Sequence, residues 1–256
     1  MTAEIIKYVI ENPLITGVEL SKKFGMSNST ANRYLVKILP NRPQNQSLIL
    51  SNKKRIKSLI ITENTHQIII GSLLGDGSMV DGISTRLVIN HSVLQKDYAL
   101  YKKELLEKEN VIVYFRERKL SQIEKKIKDR VIKDNGYVTV ETLKTPDLLC
   151  YRNAFYPLGK RTIPKITETL NALGLAIWFM DDGSKNISSY YLCSLAYTED
   201  ENKYLQKILL ENFNIKSSLH KNYDKYLIYI KAESRELFTS IIKPYVCESM
   251  KYKLFI

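Results

Sequence analysis

Apolar positions along this chain follow two periods, helical and strand-like, and the elements they predict come in a repeating order. Near the start, Ile5, Ile6, Val9 and Ile10 recur at helical spacing and stop at Asn12-Pro13. A second short helix is predicted from Gly17 to Phe24, with Val18, Leu20 and Phe24 as its apolar side. Gly25-Met26-Ser27 makes a turn, and Ser27 is placed to cap a third helix carrying Ala31, Leu35 and Ile38 inward. Residues 40–46, rich in Pro, Asn and Gln, break any helix and read as a linker. The pattern then becomes a duplication. An apolar run at residues 69–77 reappears at 175–183, and each copy is followed by a strand-like piece at 85–91 and 190–196. Amphipathic helices follow at 95–109 and 200–213, then two strands in each half (111–118 with 137–142, 216–222 with 226–231), then closing helices at 145–156 and 234–245. Counted with one extra strand pairing in each half, the order is αββαββα twice, an α+β protein. Residues 121–136, charged and without a stable period, read as a longer hairpin loop of the first half.

The two apolar runs end alike, in Gly75-Asp76-Gly77 and Asp181-Asp182-Gly183. As helices they would stop where glycine supplies a left-handed cap, leaving an aspartate beside carbonyls that have lost their intrahelical partners. A helix C-terminus already carries partial negative charge, so a carboxylate there is unfavourable unless a cation joins it. Two such tips brought together would hold a divalent metal. Asp76 and Asp182 are 106 positions apart, as are Tyr98 and Tyr204, so the halves keep register beyond the motif itself.

Charge narrows the partner. The formal net charge is +12 and the pI about 9.4, which implies a polyanion, nucleic acid first. No apolar run is long enough to span a bilayer, and Met1-Thr2-Ala3-Glu4 does not open a signal sequence, so an intracellular setting without membrane attachment is expected: bacterial or phage cytoplasm, or an organelle matrix. Cys150, Cys193 and Cys247 are odd in number and widely spaced, and read as reduced core residues. His66, His91 and His220 form no nuclease-like cluster and read as ordinary surface or core histidines. The strands at 137–142 and 226–231 each have one apolar face, so each sheet would leave its other face free for DNA, with Arg86, Arg116, Arg118, Lys216, His220 and Lys225 as the expected contacts. The first forty residues resemble a helix-turn-helix of the winged-helix sort, whose third helix would offer Asn28, Ser29, Thr30, Asn32 and Arg33 to a major groove. The alternative is a small helical cap without DNA contact.

The paired motifs, with Lys160-Arg161-Thr162-Ile163-Pro164 and Lys251-Tyr252-Lys253-Leu254 behind them, resemble the LAGLIDADG homing endonucleases in their single-chain, two-motif form, over roughly residues 60–256. The second motif is similar to that of the mitochondrial large-rRNA intron endonucleases of yeast. Behind the small helical domain (1–40) and linker (41–60) read from the residue pattern, the resemblance implies two pseudo-symmetric subdomains (61–165 and 166–256). Their motif helices would pack at the centre, and their sheets would form a DNA-binding saddle. The second motif helix departs from the family pattern, with only Ala176 small and Ile177 where glycine is frequent; a wider or asymmetric crossing is therefore expected, with Trp178 in the core.

For chemistry, the resemblance implies hydrolysis of both DNA strands with Mg2+ (or Mn2+, while Ca2+ binds without supporting cleavage). Asp76 and Asp182 would be the metal-holding acids, the carbonyls of Gly75 and Asp181 would complete the metal shell, and Lys253 would be a basic partner for one site. For the other site the basic residue is Arg161 or the adjacent Lys160. A monomer acting on double-stranded DNA is expected. A catalytically silent DNA-binding regulator and an intron-RNA maturase are the competing expectations.

Overall fold

The computed structural model describes residues 2–12, 15–38, 59–80, 85–127 and 130–255. The chain divides into two compact units, one made by residues 1–58 and 81–84, the other by 59–80 and 85–256. Most of the expected linker, residues 41–58, lies outside the described residues.

The first unit holds α1 (Ala3–Glu11), α2 (Gly17–Phe24) and α3 (Asn28–Ile38). Thr16 and Glu19 form a reciprocal capping box at the start of α2, and Gly25 ends it at φ +62°, a conformation that L side chains rarely adopt. Ser27 Oγ accepts from the Thr30 amide at 3.2 Å, as expected of a cap. Ile5, Val9, Ile15, Leu20, Ala31 and Leu35 make the core. Val18 and Ile10 were expected on the inner side and are instead exposed, because Leu20 and Val9 fill that small core.

The second unit runs α4 (Glu63–Leu74), β1 (Gly77–Val80), β2 (Arg86–Ser92), α5 (Lys96–Lys108), β3 (Val113–Ile127), β4 (Arg130–Thr142) and α6 (Leu149–Phe155). It then repeats the order as α7 (Ala172–Asp182), β5 (Gly183–Lys185), β6 (Tyr190–Leu192), α8 (Glu199–Phe213), β7 (Ser217–Asn222), β8 (Lys225–Ile230) and α9 (Arg235–Ile242). Both sheets are antiparallel, with orders β1-β2-β4-β3 and β5-β6-β8-β7. The αββαββα order is therefore present twice, and the extra strand is the short piece directly after each motif. The predicted hairpin loop at 121–136 is largely strand: β3 and β4 stay paired from Val113↔Thr142 to Ile127↔Arg130, with a register shift between Lys119 and Ile123. Backbone pairing leaves no side-chain signature of its own, and residues 121–136 carry no apolar period. The strand expected to 196 ends at Leu192, because the chain then turns, with the Tyr197 amide donating to the Ser194 carbonyl (3.1 Å).

Helices α4 and α7 pack together at the centre of this unit. Every residue from Ile68 to Leu74 and from Leu173 to Met180 is buried, which explains why both helices are apolar all round. A Cβ on Gly71 would strike the Gly174 carbonyl oxygen, and one on Gly174 would meet the Gln67 side chain. Gly174 thus supplies the small residue that the second helix was expected to lack, and the crossing is close there rather than wide. Gln67, fully buried, bridges the helices: its amide donates to the Thr169 carbonyl (2.6 Å) and its oxygen accepts from the Asn171 amide (2.9 Å). Trp178 is fully buried, as expected.

Two expectations fail. Neither Gly77 nor Gly183 has positive φ, so no left-handed cap ends the motif helices. These glycines answer to space, since a Cβ would collide with Ser72 at Gly77 and with Phe179 at Gly183. The cysteines are free as expected but not core: Cys150 is exposed, off the helix face buried through Tyr151 and Phe155, and Cys193 and Cys247 are half-buried in segments outside the helices and strands.

Gly71→Val should force the helices apart at their tightest point. The expected cost is about 3 kcal/mol, the upper part of the range for overpacked cores, read as a lowered urea midpoint for the second unit.

Candidate active site

The ends of α4 and α7 bring three carboxylates into one place. Asp182 is the last residue of α7, while Asp76 lies in the turn between α4 and β1, two residues past the last helical one. They are close enough to interact. Burial first, then the charges of Asp76 and Asp181, push the Asp182 carboxyl up to about 6, against the pull of Arg161 and Lys253. Burial also acts to raise Asp76, but His91, Lys102 and Lys253 together outweigh it and hold that carboxyl below its ordinary value. The pair therefore titrates unequally, as expected when like charges share a half-buried site.

The helix ends are covered by cations from far along the chain. Arg161 donates to the carbonyls of Leu73 and Gly75, the latter at 2.9 Å. Lys253 Nζ donates to the carbonyls of Met180 (2.6 Å) and Asp181 (3.2 Å). Gly75 and Asp181 are equivalent positions of the two motifs, so the basic groups dock in matching places and offset both helix dipoles. Of the two expected candidates, Arg161 is the one that reaches the helix end; Lys160 lies exposed, its backbone amide donating to the Pro157 carbonyl. Burial lowers the affinity of Lys253 for its proton more than the nearby acids Asp181, Asp76 and Asp182 raise it. Leu254 is buried and accepts from Lys185, which fixes the short helical turn Glu248–Lys253 that carries Lys253. Each of the Gly75 and Asp181 carbonyls thus already has one basic partner and keeps a second lone pair.

The Asp181 side chain is fully buried and committed elsewhere. It accepts from Tyr98 (2.7 Å), from Lys102 (2.6 and 2.8 Å) and from the Asp76 amide (3.1 Å). Its oxygens fill the space left by Gly75, where a Cβ would collide with them. Asp76, His91 and Asp181 together form a cluster with metal-ligand spacing, although Lys102 competes for the Asp181 oxygens. His91 differs from its expected role: it is buried in this cluster with Nδ1 3.4 Å from Asp76. His66 is an ordinary bridge, between Tyr151 (2.6 Å) and Thr169 (2.7 Å).

The open faces of the two sheets carry the other expected residues. On the first, a groove of about 710 Å³ is lined by Arg86, Arg116 and Arg118 with Asn90, Thr139 and Glu141. Glu141, almost fully buried, holds Arg86 (3.1 Å) and Arg116 (2.5 Å) in place. On the second, His220 stacks on Tyr229 with ring centroids 4.5 Å apart and accepts from or donates to Tyr191 (2.9 Å). Lys225 is exposed beside it, whereas Lys216 lies just ahead of β7 in an ion pair with Glu233 (3.4 Å). In the first unit, Asn28, Ser29, Asn32 and Arg33 are exposed on α3 and Thr30 is half-buried; Asn28 also accepts from Ser21 (2.5 Å). Among the described residues no helix is long and apolar enough to cross a membrane.

Comparison with known proteins places this arrangement. Residues 66–238 match the model of the LAGLIDADG DNA endonuclease family, and residues 3–35 match a winged helix-turn-helix DNA-binding model. The chain is 30% identical over 194 residues to the cytochrome b mRNA maturase bI2 of Debaryomyces hansenii, covering 73% of this chain and 72% of that one. It is also 30% identical over 218 residues to the protein of the same name from Saccharomyces cerevisiae, covering 81% of this chain but only 52% of the yeast protein. The DNA endonuclease I-ChuI of Chlamydomonas applanata is 25% identical, with 76% and 95% covered. Among solved structures, the homing endonuclease I-WcaI bound to its DNA recognition sequence shares the fold, with a TM-score of 0.65 and 24% identity over 84% of this chain and 95% of that one.

The raised Asp182 acid fixes a pH dependence. Its carboxyl is neutral in folded and unfolded chains at low pH, and folding loses stability as pH rises from the ordinary carboxylate range through about 6. Without divalent ions, Asp182→Asn should therefore melt higher than the parent at about pH 7.5, with the difference vanishing near about pH 4; melting curves in a chelator at three pH values measure it.

Proposed function

The chain belongs to the LAGLIDADG DNA endonuclease family, and from that premise we propose that it is a monomeric, Mg2+-dependent endonuclease making a staggered double-strand break in a long asymmetric DNA site. The observation that carries this proposal is the pairing of Asp76 and Asp182 at the ends of two crossed helices, with a shortage of positive charge that burial makes worse. Hard divalent ions suit such oxygen donors. Asp76 and Asp182 are the residues that would hold them, with the Gly75 and Asp181 carbonyls adjoining. Such ions would supply an activated water and neutralise charge developing on the phosphate. Mn2+ should substitute for Mg2+, while Ca2+ should support binding only.

The chain's own groups divide the remaining work. Hydrolysis adds water to phosphorus and breaks one P–O bond, so negative charge grows on the phosphoryl and leaving oxygens. Arg161 and Lys253, anchored on the helix-end carbonyls, stand where they stabilise that charge. Lys253, with its proton loosened by burial, can also take part in proton exchange with water, which Arg161 cannot. The arginine-lined groove of the first sheet and the Tyr191–His220–Tyr229 face of the second are proposed to lie along the DNA, with Lys225 and Lys216 at the margins. The helix-turn-helix of residues 1–40 adds contacts through Asn28, Thr30, Asn32 and Arg33. The halves 61–165 and 166–256 are assigned one strand each. Retention of both acids weighs against a silent regulator.

A second reading has specific support. Two relatives at 30% identity are named as mRNA maturases, and a basic protein can bind RNA as well as DNA. Salt-dependent binding of the chain's own intron transcript, and faster splicing of it, would establish that role.

Asp76→Asn and Asp182→Asn should each turn the enzyme into a nickase, for opposite strands, with DNA affinity changed less than about threefold. Supercoiled target plasmid would run as open circle with either variant in Mg2+. Linear product from either would refute the assignment of one acid per strand.

A further inference from the structure

The two centres share a fold but not their supporting side chains. Strand register places Ser194 where the first half has His91, since Gly77 pairs with Ile89 and Gly183 with Leu192. The constant spacing of the motifs and following helices sets Ile208 against Lys102 and Gly75 against Asp181. Among the described residues, the Asp76 centre therefore has a buried polar network, built from both halves, with no counterpart at the Asp182 centre. Asp181 is gripped by Tyr98 and Lys102, both fully buried, and in turn accepts the backbone amide of Asp76. The His91 ring, whose side chain is 1% exposed, has Nδ1 3.4 Å from Asp76 Oδ2 and Nε2 3.9 Å from Asp181 Oδ1. Neither nitrogen makes a closer hydrogen bond. The Tyr98 ring packs against it, with centroids 4.9 Å apart.

Asp76 sits on a turn beyond its helix and its side chain is 39% exposed, so little else selects its rotamer. Its amide donates to Asp181, and its carboxylate has the His91 ring 3.4 Å away as its nearest cationic or donor partner across the cluster. Asp182 has its place in the last helical turn, and among the described residues no side chain bonds its carboxylate. We propose that His91 is a positioning residue for Asp76 alone, with Asp181 and Lys102 as its buried support, so that the two strand cuts can be separated at His91 without touching either acid.

The inference rests on the endonuclease reading, and one assay distinguishes their failures. The probe is a duplex recovered by cleavage with the parent protein from a randomised library, its strands labelled separately, and single-turnover cutting of each strand is followed in Mg2+. The strand lost in Asp76→Asn defines the Asp76 strand. His91→Leu should slow that strand at least tenfold and leave the other within twofold, with an unchanged urea midpoint. His91→Gln, which restores a donor, should recover part of the rate. Should the leucine variant not fold, His91→Asn, too short to reach Asp76, carries the same expectation. Equal slowing of both strands, or of neither, overturns the positioning role and leaves the endonuclease reading standing. Cutting of both strands by Asp76→Asn overturns that reading and this inference together.

Discussion

Everything in the second unit depends on two apolar helices ending side by side. Crossing them buries a continuous apolar surface, but it also aligns two C-terminal dipoles and the acids beyond them, so like charges accumulate where the packing is tightest. The chain answers with cations brought from elsewhere: Lys102 from α5, Arg161 from the segment joining the halves, and Lys253 from the end of the second half. Asp182 remains under-compensated. That residue of strain is what a site for added cations requires, and it is a cost in stability carried where activity would need it.

The duplication is accurate in backbone and loose in side chains. Both halves run αββαββα with the same strand order, and both place a basic group on equivalent carbonyls. Yet one motif has Gly75 where the other has Asp181, and the second residue lies in the space the first vacates. A symmetric dimer could not do this, because one side chain would have to be both absent and present. Joining the halves in one chain permits the substitution. Lys102, buried by Asp181, makes the exchange costly to undo, since removing one partner of a buried pair typically costs about 3–5 kcal/mol.

The duplicated architecture was legible in the sequence because helix and strand periods repeat around Asp76 and Asp182. The paired acids were legible because a carboxylate beside Gly at the end of an apolar helix is chemically unusual. The β3–β4 ribbon was not, because residues 121–136 are charged and carry no apolar period. Nor was the support behind Asp76. Still, Lys102 stands on the buried stripe of α5 with Tyr98, Ala99 and Leu106, and His91 shares the inward parity of Leu87 and Ile89. A charged or titratable residue on an apolar stripe needs a buried partner; following that rule would have pointed toward Asp181. The Gly174 contact was not legible either, because that glycine lies one residue before the apolar run that the two halves share.

The open faces of the sheets diverge in the same spirit as the centres. On the first, a buried Glu141 fixes two guanidinium groups, which presents planar, bidentate donors in set positions. On the second, aromatic rings stack and share hydrogen bonds, with His220 between Tyr191 and Tyr229. Donors of the first kind suit guanine edges and phosphates, while rings and hydroxyls suit thymine methyls and less polar edges. A duplex lying along both faces would meet unlike chemistry in its two halves. In the proposed complex the pseudo-twofold backbone would fix where each half-site lies, and the unshared side chains would make the two half-sites differ.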